Sequence, residues 1–425
     1  MSPSALETPA SREIALHATG AVRLAELPPL ALYVHVPWCV RKCPYCDFNS
    51  HEVRGEPPEG EYVDALVADL ESSLPAVWGR RTRTVFIGGG TPSLLTPAAI
   101  DRLLTAVRTR LPVDPDAEVT MEANPGTFEA ARFRGYRDAG VNRLSVGVQS
   151  FSDAKLAAIG RVHGADEARR ALAAALGIFP TVNADLMYAL PGQSPEEALA
   201  DAREAVALGA PHVSAYHLTL EPGTRFHRDP PALPGEDAAA DMQDAIEAAL
   251  GEAGYEHYET SAFARPGHRA RHNLNYWTFG DYLGLGAGAH GKISFPDRIV
   301  RASRIRSPRG YMSAALAGDA VDESHEVAPG ELAFEFMLNA LRLVEGFPAA
   351  LFTQRTGLPI TAVARELERA ERDGLLERDP VVVRPSAKGR RFLNDLLERF
   401  LPAAAPPRSR APSLRIYPAD TSSRP

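Results

Sequence analysis

Three cysteines, Cys39, Cys43 and Cys46, lie within eight residues of one another in the segment CVRKCPYC. They are the only cysteines of the 425-residue chain, and their spacing is C-x3-C-x2-C. Thiolates are soft metal ligands, and three of them so close together cannot form a disulfide framework. The motif therefore indicates a metal or iron–sulfur site in a protein of a reducing compartment.

Each kind of site would use the three thiols differently. A structural zinc ion takes four ligands and would need His35 or His51 as the fourth, whereas a redox pair would need only Cys43 and Cys46. A [4Fe–4S] cluster is normally held by four thiolates. With three thiolates, one iron keeps an open coordination position that can bind a small molecule directly.

Six apolar runs, separated by amphipathic segments, must position these residues. Runs that are apolar throughout and are followed by helices are typical of parallel β/α units. Six units in succession predict an α/β fold built on an open, partial (β/α)6 barrel, with a doubly wound sheet as the alternative. The runs are LALYVHVP (30–37), TVFIGGG (84–90), EVTMEAN (118–124), RLSVGVQ (143–149), VNADLMYAL (182–190) and HVSAYHLTL (212–220).

Chemically useful residues follow nearly every predicted strand. Cys39 follows the first strand, the run GGGT the second, Glu122 ends the third, Gln149 the fourth, and Asp185 lies in the fifth. The carboxyl ends of parallel strands share one edge of a sheet, where α/β proteins place their sites. Taken singly, these residues could equally be turn, capping or satisfied buried polar residues.

The cysteine spacing, with Tyr45 before the last cysteine, resembles the signature of radical S-adenosylmethionine (SAM) proteins. Further blocks resemble the coproporphyrinogen III oxidase-like group of that superfamily, over about residues 30–400. The resemblance implies the partial barrel, a [4Fe–4S] cluster on the three cysteines, and SAM bound to the open iron. It also implies an electron donor, because one electron from the cluster cleaves SAM. The blocks are YVHVPWCVRKCPYCDF, GGGTPS, EANPGT, RLSVGVQSF, IGRVHG, DLMYALPGQ and SAYHLTLEPGT.

The resemblance also implies a set of SAM contacts, carried over by motif. Glycines let main chain approach the ammonium group, carboxylates and amides suit the ribose and the sulfonium, and an arginine suits the carboxylate. Ala189 departs from the pattern, because relatives commonly have glycine at that position. The implied contacts are Tyr33, Gly89, Gly90, Thr91, Glu122, Gln149, Arg161 and Asp185.

Two branches of the group differ in function. The oxygen-independent oxidase branch decarboxylates coproporphyrinogen III in porphyrin biosynthesis and typically carries another cysteine where this chain has Phe48. The heme-chaperone branch carries an H-N-x-x-Y-W block, which this chain has at residues 272–277. The resemblance therefore implies a protein that binds heme and delivers it to acceptor hemoproteins. Oxidase activity is the alternative, and a zinc-stabilised binding module without radical chemistry is a third class.

The H-N-x-x-Y-W block has residue types that suit heme. The imidazole of His272 can ligate the iron, while Tyr276 and Trp277 offer flat apolar surfaces to a porphyrin. The glycine-rich run LGLGAGAHG allows close approach of backbone, and His290 at its end is a second candidate ligand. Alternatively, His272 is a packed, hydrogen-bonded residue.

Composition limits the classes of partner. A net charge of −8 and a pI near 5.9 argue against nucleic-acid binding. The N-terminal segment has no signal-peptide pattern, and no apolar stretch is long enough to span a bilayer, so we expect a cytoplasmic protein with at most peripheral membrane contact. The expected organisation is a flexible extension (1–28), the barrel (29–240), a barrel extension (241–325), a helical, winged-helix-like module (326–402) and a disordered Pro- and Ala-rich tail (403–425).

Overall fold

The computed structural model describes residues 22–53, 55–127 and 130–402. The predicted tail (403–425) and residues 1–21 of the predicted extension lie outside the described residues. In chain order, the strands are β1 (Leu30–Val36), β2 (Trp38–Cys39), β3 (His51–Glu52), β4 (Thr82–Gly89), β5 (Val113–Ala123), β6 (Arg143–Gln149), β7 (Thr181–Tyr188), β8 (His212–His217), β9 (Glu256–Glu259), β10 (Ala262–Ala264), β11 (Asp281–Leu285), β12 (His290–Ser294), β13 (Ile299–Arg304), β14 (Val321–Glu326), β15 (Phe347–Pro348), β16 (Leu376–Arg378) and β17 (Val382–Pro385).

Helices connect most of these strands, and several begin at side-chain caps. The hydroxyl of Thr96 accepts a hydrogen bond from the Ala99 amide, and Ser194 forms a capping box with Glu197. The α-helices are α1 (Glu59–Val77), α2 (Pro97–Arg110), α3 (Ala130–Ala139), α4 (Asp153–Ala158), α5 (Ala165–Leu176), α6 (Pro195–Ala207), α7 (Arg225–Arg228), α8 (Glu236–Glu252), α9 (Arg271–Trp277), α10 (Pro308–Leu316), α11 (Pro329–Ala340), α12 (Ala349–Thr356), α13 (Ala364–Arg372), α14 (Ala387–Arg391) and α15 (Leu393–Glu398).

The main sheet is a partial barrel with antiparallel additions. Its order is β14-β13-β12-β11-β1-β4-β5-β6-β7-β8-β10-β9. The six predicted strands are β1 and β4 to β8, and each pairs in parallel with the next along the chain. A doubly wound sheet would reverse direction after its first strands, and here the six strands wind in one direction only. The prediction of an open, partial (β/α)6 barrel is confirmed.

The strand adjacent to β1 on its other side is β11, which comes late in the sequence. It pairs in parallel with β1, and Tyr33 is the register partner of Gly284. β12, β13 and β14 continue the sheet in antiparallel fashion. This extension places the segment after the H-N-x-x-Y-W block directly beside the strand that leads to the cysteines.

Two large apolar clusters, and two smaller ones, stabilise the described part of the protein. The larger lies between the barrel strands and their helices, where Val34, Ile87 and Leu144 are fully buried. The second contains Phe336 and Phe352 of the C-terminal segment, where β15, β17 and β16 form a small separate sheet. Val22 and Leu24, within the predicted flexible extension, are buried in this second cluster. The boundaries of the predicted domains stay predictions.

Candidate functional site

The cysteines lie on a loop at the carboxyl edge of the barrel. Cys39 ends β2 and is buried, whereas Cys43 and Cys46 are half-buried in the turn that follows. The amide of Cys46 donates to the carbonyl of Cys43 at 3.2 Å, and Lys42 Nζ donates to the carbonyl of Phe48 at 3.0 Å. The turn and the lysine hold the loop in a shape that brings all three sulfur atoms to one cavity.

Burial raises the pKa of the Cys39 and Cys46 thiols. Arg161 provides positive charge beside them, since its Nη1 donates to the sulfur of Cys43 at 3.7 Å. Thiols in such a setting release their protons when they bind iron. The donor set therefore fits a cationic cluster that replaces three protons.

The alternative of a zinc site depends on a histidine as fourth ligand. Both ring nitrogens of His35 are engaged, with the Tyr33 hydroxyl and the Asn49 carbonyl each at 2.9 Å. The side chain of His51 is absent from the residues that line the cysteine cavity. Among the described residues, no three His, Cys, Asp or Glu side chains are grouped to hold one metal ion. In a [4Fe–4S] cluster, each thiolate binds a different iron, so the sulfur atoms need not converge on one point.

The cysteine cavity has a volume of about 390 Å³. Seven of the eight expected SAM contacts line it together with the three cysteines, although they come from five different strands or loops. A cavity of this size lies within the range of small-molecule sites. The seven residues are Gly89, Gly90, Thr91, Glu122, Gln149, Arg161 and Asp185.

Four carboxylates line this cavity, and two of them, Glu122 and Asp185, belong to the barrel strands. Glu122 Oε2 accepts a hydrogen bond from the amide of Gly89 at 3.0 Å, and Asp185 Oδ2 accepts one from the hydroxyl of Ser145 at 2.7 Å. Burial, and then the nearby charge of Asp185, raise the pKa of Glu122 to about 8. Burial also raises the pKa of Asp185. A cationic ligand would favour the ionised form of both groups, as the ammonium and sulfonium of SAM would.

The glycine run after β4 lets segments of the chain approach closely. A Cβ on Gly90 would lie 2.5 Å from the carbonyl oxygen of Trp38, the residue before Cys39. A Cβ on Gly89, whose φ is 113°, would lie 2.6 Å from the ring of His35. The run therefore fits β4 against the cysteine loop, in addition to leaving room for a ligand.

Two non-glycine residues near the cavity have left-handed backbone. Gln149 has a φ of 68° and Ala189 a φ of 57°. Such a conformation costs about 1–2 kcal/mol for an L-residue, and glycine adopts it freely. This explains physically why glycine suits the position of Ala189, and it marks Gln149 as a strained residue at the cavity edge.

A second cavity, of about 530 Å³, lies next to the first. Tyr276 and Trp277 of the H-N-x-x-Y-W block line it, and His290 and Arg306 line it as well. Tyr33 belongs to this cavity, so the structure does not bring it together with the other expected SAM contacts. Asp47 and Phe48, directly after the last cysteine, line both cavities and form their common wall.

His272 lies behind the second cavity rather than in it. It is 1% exposed, its Nδ1 is 2.8 Å from Thr84 Oγ1, and its Nε2 is 3.0 Å from the Tyr276 hydroxyl. Burial lowers the pKa of its imidazole to about 3, so the ring is neutral. This geometry agrees with the alternative interpretation, a packed and hydrogen-bonded histidine, and iron ligation would require Tyr276 to move.

Sequence reasoning did not single out some of the residues that line the first cavity. Ser145 and Tyr216 are examples, from β6 and β8. Tyr216 lies at the carboxyl end of the sixth strand, so the strand-end rule that found Glu122 and Asp185 would also have found it. Ser145 carries no such signal, because it lies within an apolar run.

The comparisons with known proteins agree with this fold. The family model described as the Radical SAM superfamily matches residues 33–205, and the model of the HemN C-terminal domain matches residues 327–392. Among solved structures, coproporphyrinogen III oxidase (HemN) from Escherichia coli has a TM-score of 0.76 at 25% identity, covering 89% of this chain and 92% of that chain. The fold and the three-cysteine loop thus define a radical SAM protein.

Curated relatives narrow the class. The heme chaperone HemW of Escherichia coli (strain K12) is 50% identical over 381 residues, which cover 89% of this chain and 100% of that protein. The heme chaperone HemW of Haemophilus influenzae is 45% identical over 384 residues, which cover 89% and 99%. The chain belongs to the HemW family. In the part of the chain that the structure describes, no helix is both long and apolar enough to cross a bilayer.

Proposed function

We propose that this protein is a heme chaperone that binds a [4Fe–4S] cluster, SAM and heme, and that delivers heme to acceptor hemoproteins. The observation that carries the proposal is the pair of adjacent cavities with a common wall. One cavity gathers three thiols and seven expected SAM contacts, and the other is lined by the aromatic residues of the H-N-x-x-Y-W block.

In the first cavity, Cys39, Cys43 and Cys46 would hold the cluster, which supplies a redox-active iron with an open position. Glu122 and Asp185 would accept hydrogen bonds from SAM and balance its positive charge. Arg161, beside Cys43, would balance negative charge on the cluster or the SAM carboxylate. The amide of Gly89 orients Glu122 toward the cavity by donating to its carboxylate.

The second cavity offers what a porphyrin needs. Tyr276, Trp277 and Tyr282 present aromatic surface, and the exposed Arg306 can pair with a propionate. Among the residues that the structure describes, indole Nε1 of Trp277 has no hydrogen-bond partner, which leaves one donor unused. Heme is the cargo here, so exposure of the cavity at the surface suits its transfer.

His272 is the proposed axial ligand, and its two hydroxyl partners are compatible with the tautomer that ligation requires. If Nδ1–H donates to Thr84, the lone pair of Nε2 is aimed at Tyr276 and toward the second cavity. A second hydrogen bond that fixes the non-ligating nitrogen is the usual arrangement of metal-binding histidines. His290 lines the cavity directly and serves as the internal comparison.

Titration of heme into anaerobically reconstituted protein tests the proposal. We expect the wild type and His290→Ala to show the same Soret spectrum and affinity, and His272→Ala to lose the ligand-specific spectrum. An unchanged spectrum in His272→Ala would exclude that histidine, and a change in His290→Ala alone would assign ligation to the other one. Transfer of heme to an apo-hemoprotein then tests delivery.

The oxidase alternative is tested with the same preparation. Reconstituted protein is incubated with SAM, a reductant and coproporphyrinogen III, and we expect no protoporphyrinogen IX. Phe48, in the place of a further cysteine, is 57% exposed between the two cavities and supports this expectation. Robust product formation would overturn the chaperone assignment in favour of the oxidase.

A further inference from the structure

A third concave surface lies on the outer side of the cysteine loop. This cluster-loop groove, of about 920 Å³, is formed by the loop itself, the end of α4, residues 222–231 and Arg306. Cys43 and Cys46 line both this groove and the first cavity, so the cysteine loop is accessible from two sides. The amide of Phe226 donates to the carbonyl of Pro44 at 3.0 Å, which fixes α7 against the loop.

The groove is positively charged on a negatively charged protein. Its lining contains five basic and three acidic residues, whereas the whole chain has a net charge of −8. Two exposed apolar side chains of the same loop, Val40 and Phe48, lie outside the groove lining. The basic residues are Arg41, Lys42, Arg225, Arg228 and Arg306, and the acidic ones are Asp47, Glu52 and Asp229.

The four arginines of the groove are exposed and, among the described residues, have no carboxylate partner. Exposed arginines elsewhere do find one, as Arg384 does with Glu377 at 2.8 Å and Arg81 with Asp114 at 2.6 Å. Unpaired like charges repel one another, and a complementary acidic surface would remove that repulsion and speed association.

We infer that the cluster-loop groove is the docking surface for an acidic one-electron carrier protein. The inference rests on the proposed function, because the groove would deliver its electron to the cluster on the cysteine loop. One electron leaves the carrier and enters the cluster, so the carrier is oxidised and the cluster is reduced by one electron, with no bond or proton transferred. Anionic lipid would also favour arginines, but contact with Cys43 and Cys46 specifically suits a redox partner.

A charge reversal at α7 tests the groove. Arg225→Glu/Arg228→Glu changes two exposed residues that line the groove and not the other two cavities. Arg170→Glu/Arg203→Glu, on exposed positions of α5 and α6, makes the same change of charge on other helices. An acidic low-potential flavodoxin serves as the probe. Its Kd is measured in the oxidised state, and its rate of cluster reduction is followed by electron paramagnetic resonance.

We expect the groove variant to weaken binding and slow reduction by about tenfold at low ionic strength. The control pair should stay within about twofold of wild type, and salt should reduce the difference. Equal rates and affinities in both pairs would overturn the inference. So would loss of binding to phosphatidylserine vesicles in the groove variant with flavodoxin binding unchanged, since the groove would then be a membrane contact.

Dithionite separates this inference from the proposed function. It is a small reductant that needs no docking surface, so it should reduce the cluster equally in every variant. If the wild type yields no dithionite-reducible iron–sulfur signal, the proposal of a cluster is refuted. The Kd for oxidised flavodoxin still tests whether the groove is a docking surface. The milder Arg225→Gln/Arg228→Gln variant should give a rate of cluster reduction between those of the wild type and the Glu variant. Wild-type rates in both the Gln and the Glu variants of the groove would contradict the inference.

Discussion

The hydroxyl of Tyr276 lies 3.0 Å from Nε2 of His272 and thereby separates the imidazole from the second cavity. The two residues are one helical turn apart in α9, and their rings meet edge to face at 4.8 Å. Thr84, from a distant part of the sequence, holds the other ring nitrogen. Within the H-N-x-x-Y-W block, the histidine and the tyrosine are therefore hydrogen-bonded to each other.

Tyr276→Phe should strengthen heme binding. The variant keeps the ring but removes the hydroxyl that heme iron must displace, and a hydrogen bond of about 1 kcal/mol corresponds to about a fivefold change in Kd. The measurement is a heme titration followed at the Soret band. Tyr282→Phe is the matched control, because its hydroxyl accepts from Arg301 rather than touching His272. Weaker binding in Tyr276→Phe would contradict the proposed role of His272.

SAM binding should depend on pH through Glu122. Its pKa of about 8 means that the free protein holds this carboxyl protonated at neutral pH, and a cationic ligand requires it ionised. Binding then releases a proton, so the apparent Kd should rise about tenfold for each unit that pH falls below 8. Anaerobic calorimetry between pH 6 and about pH 9 measures this slope.

Glu122→Gln provides the control for that slope. The variant should bind SAM more weakly and with a flatter pH profile, because its amide has no proton to lose. Any slope that stays in this variant reports the second buried carboxyl, Asp185, whose pKa is also raised by burial. A flat profile for the wild type would show that Glu122 does not ionise on binding.

Gly90→Ala should disturb the cysteine loop. The added Cβ would lie 2.5 Å from the Trp38 carbonyl oxygen, so β2 and Cys39 must shift, and overpacking of this kind costs about 1–3 kcal/mol. We expect less iron per chain after reconstitution and a lower free energy of unfolding in urea. Gly251→Ala, in α8 with open space around it, should be neutral or stabilising by up to about 1 kcal/mol. Full iron content in Gly90→Ala would refute the close fit.

A buried ion pair should stabilise β12, the strand that begins at His290, against its neighbour β11. Lys292 Nζ lies 2.8 Å from Asp281 Oδ1, with side chains 1% and 0% exposed, and the pair joins β12 to β11. Lys292→Met should lower the free energy of unfolding by about 2 kcal/mol, because the buried Asp281 loses one of its two cationic partners and keeps Arg80. Arg384→Met breaks the exposed pair with Glu377 and should cost less than about 1 kcal/mol. Equal effects in urea unfolding would contradict this difference.

The sequence predicts the barrel well because its strands are buried on both faces and therefore read as continuous apolar runs. Boundaries are less accurate. β5 begins at Val113, five residues before the predicted run, and Val113 pairs with Thr82. The prediction missed this segment because it contains Pro115 and two aspartates, which are uncommon in strands. The seven expected contacts of the first cavity came from the family resemblance, and those of them that lie at strand ends lie together because strand ends share an edge.

Neighbours that come from distant segments could not be predicted. Tyr33 lies in the second cavity because β1 pairs with β11, which places residues 276–290 around it. The local sequence YVHVPWC gives no indication of that pairing. His272 is held by Thr84, which is 188 residues away, so its burial depends on the packing of α9 against β4. Spacing identifies such residues as chemically useful, but only packing determines which atoms they face.

The common wall of the two cavities has a thermodynamic consequence. Asp47 and Phe48 follow the last cysteine by one and two residues and line both cavities, so a ligand in either cavity would contact them. If SAM changes the affinity for heme by some factor through this wall, heme must change the affinity for SAM by the same factor. Phe48 would then couple the two sites reciprocally: bound heme would change the affinity for SAM, and bound SAM would change the affinity for heme.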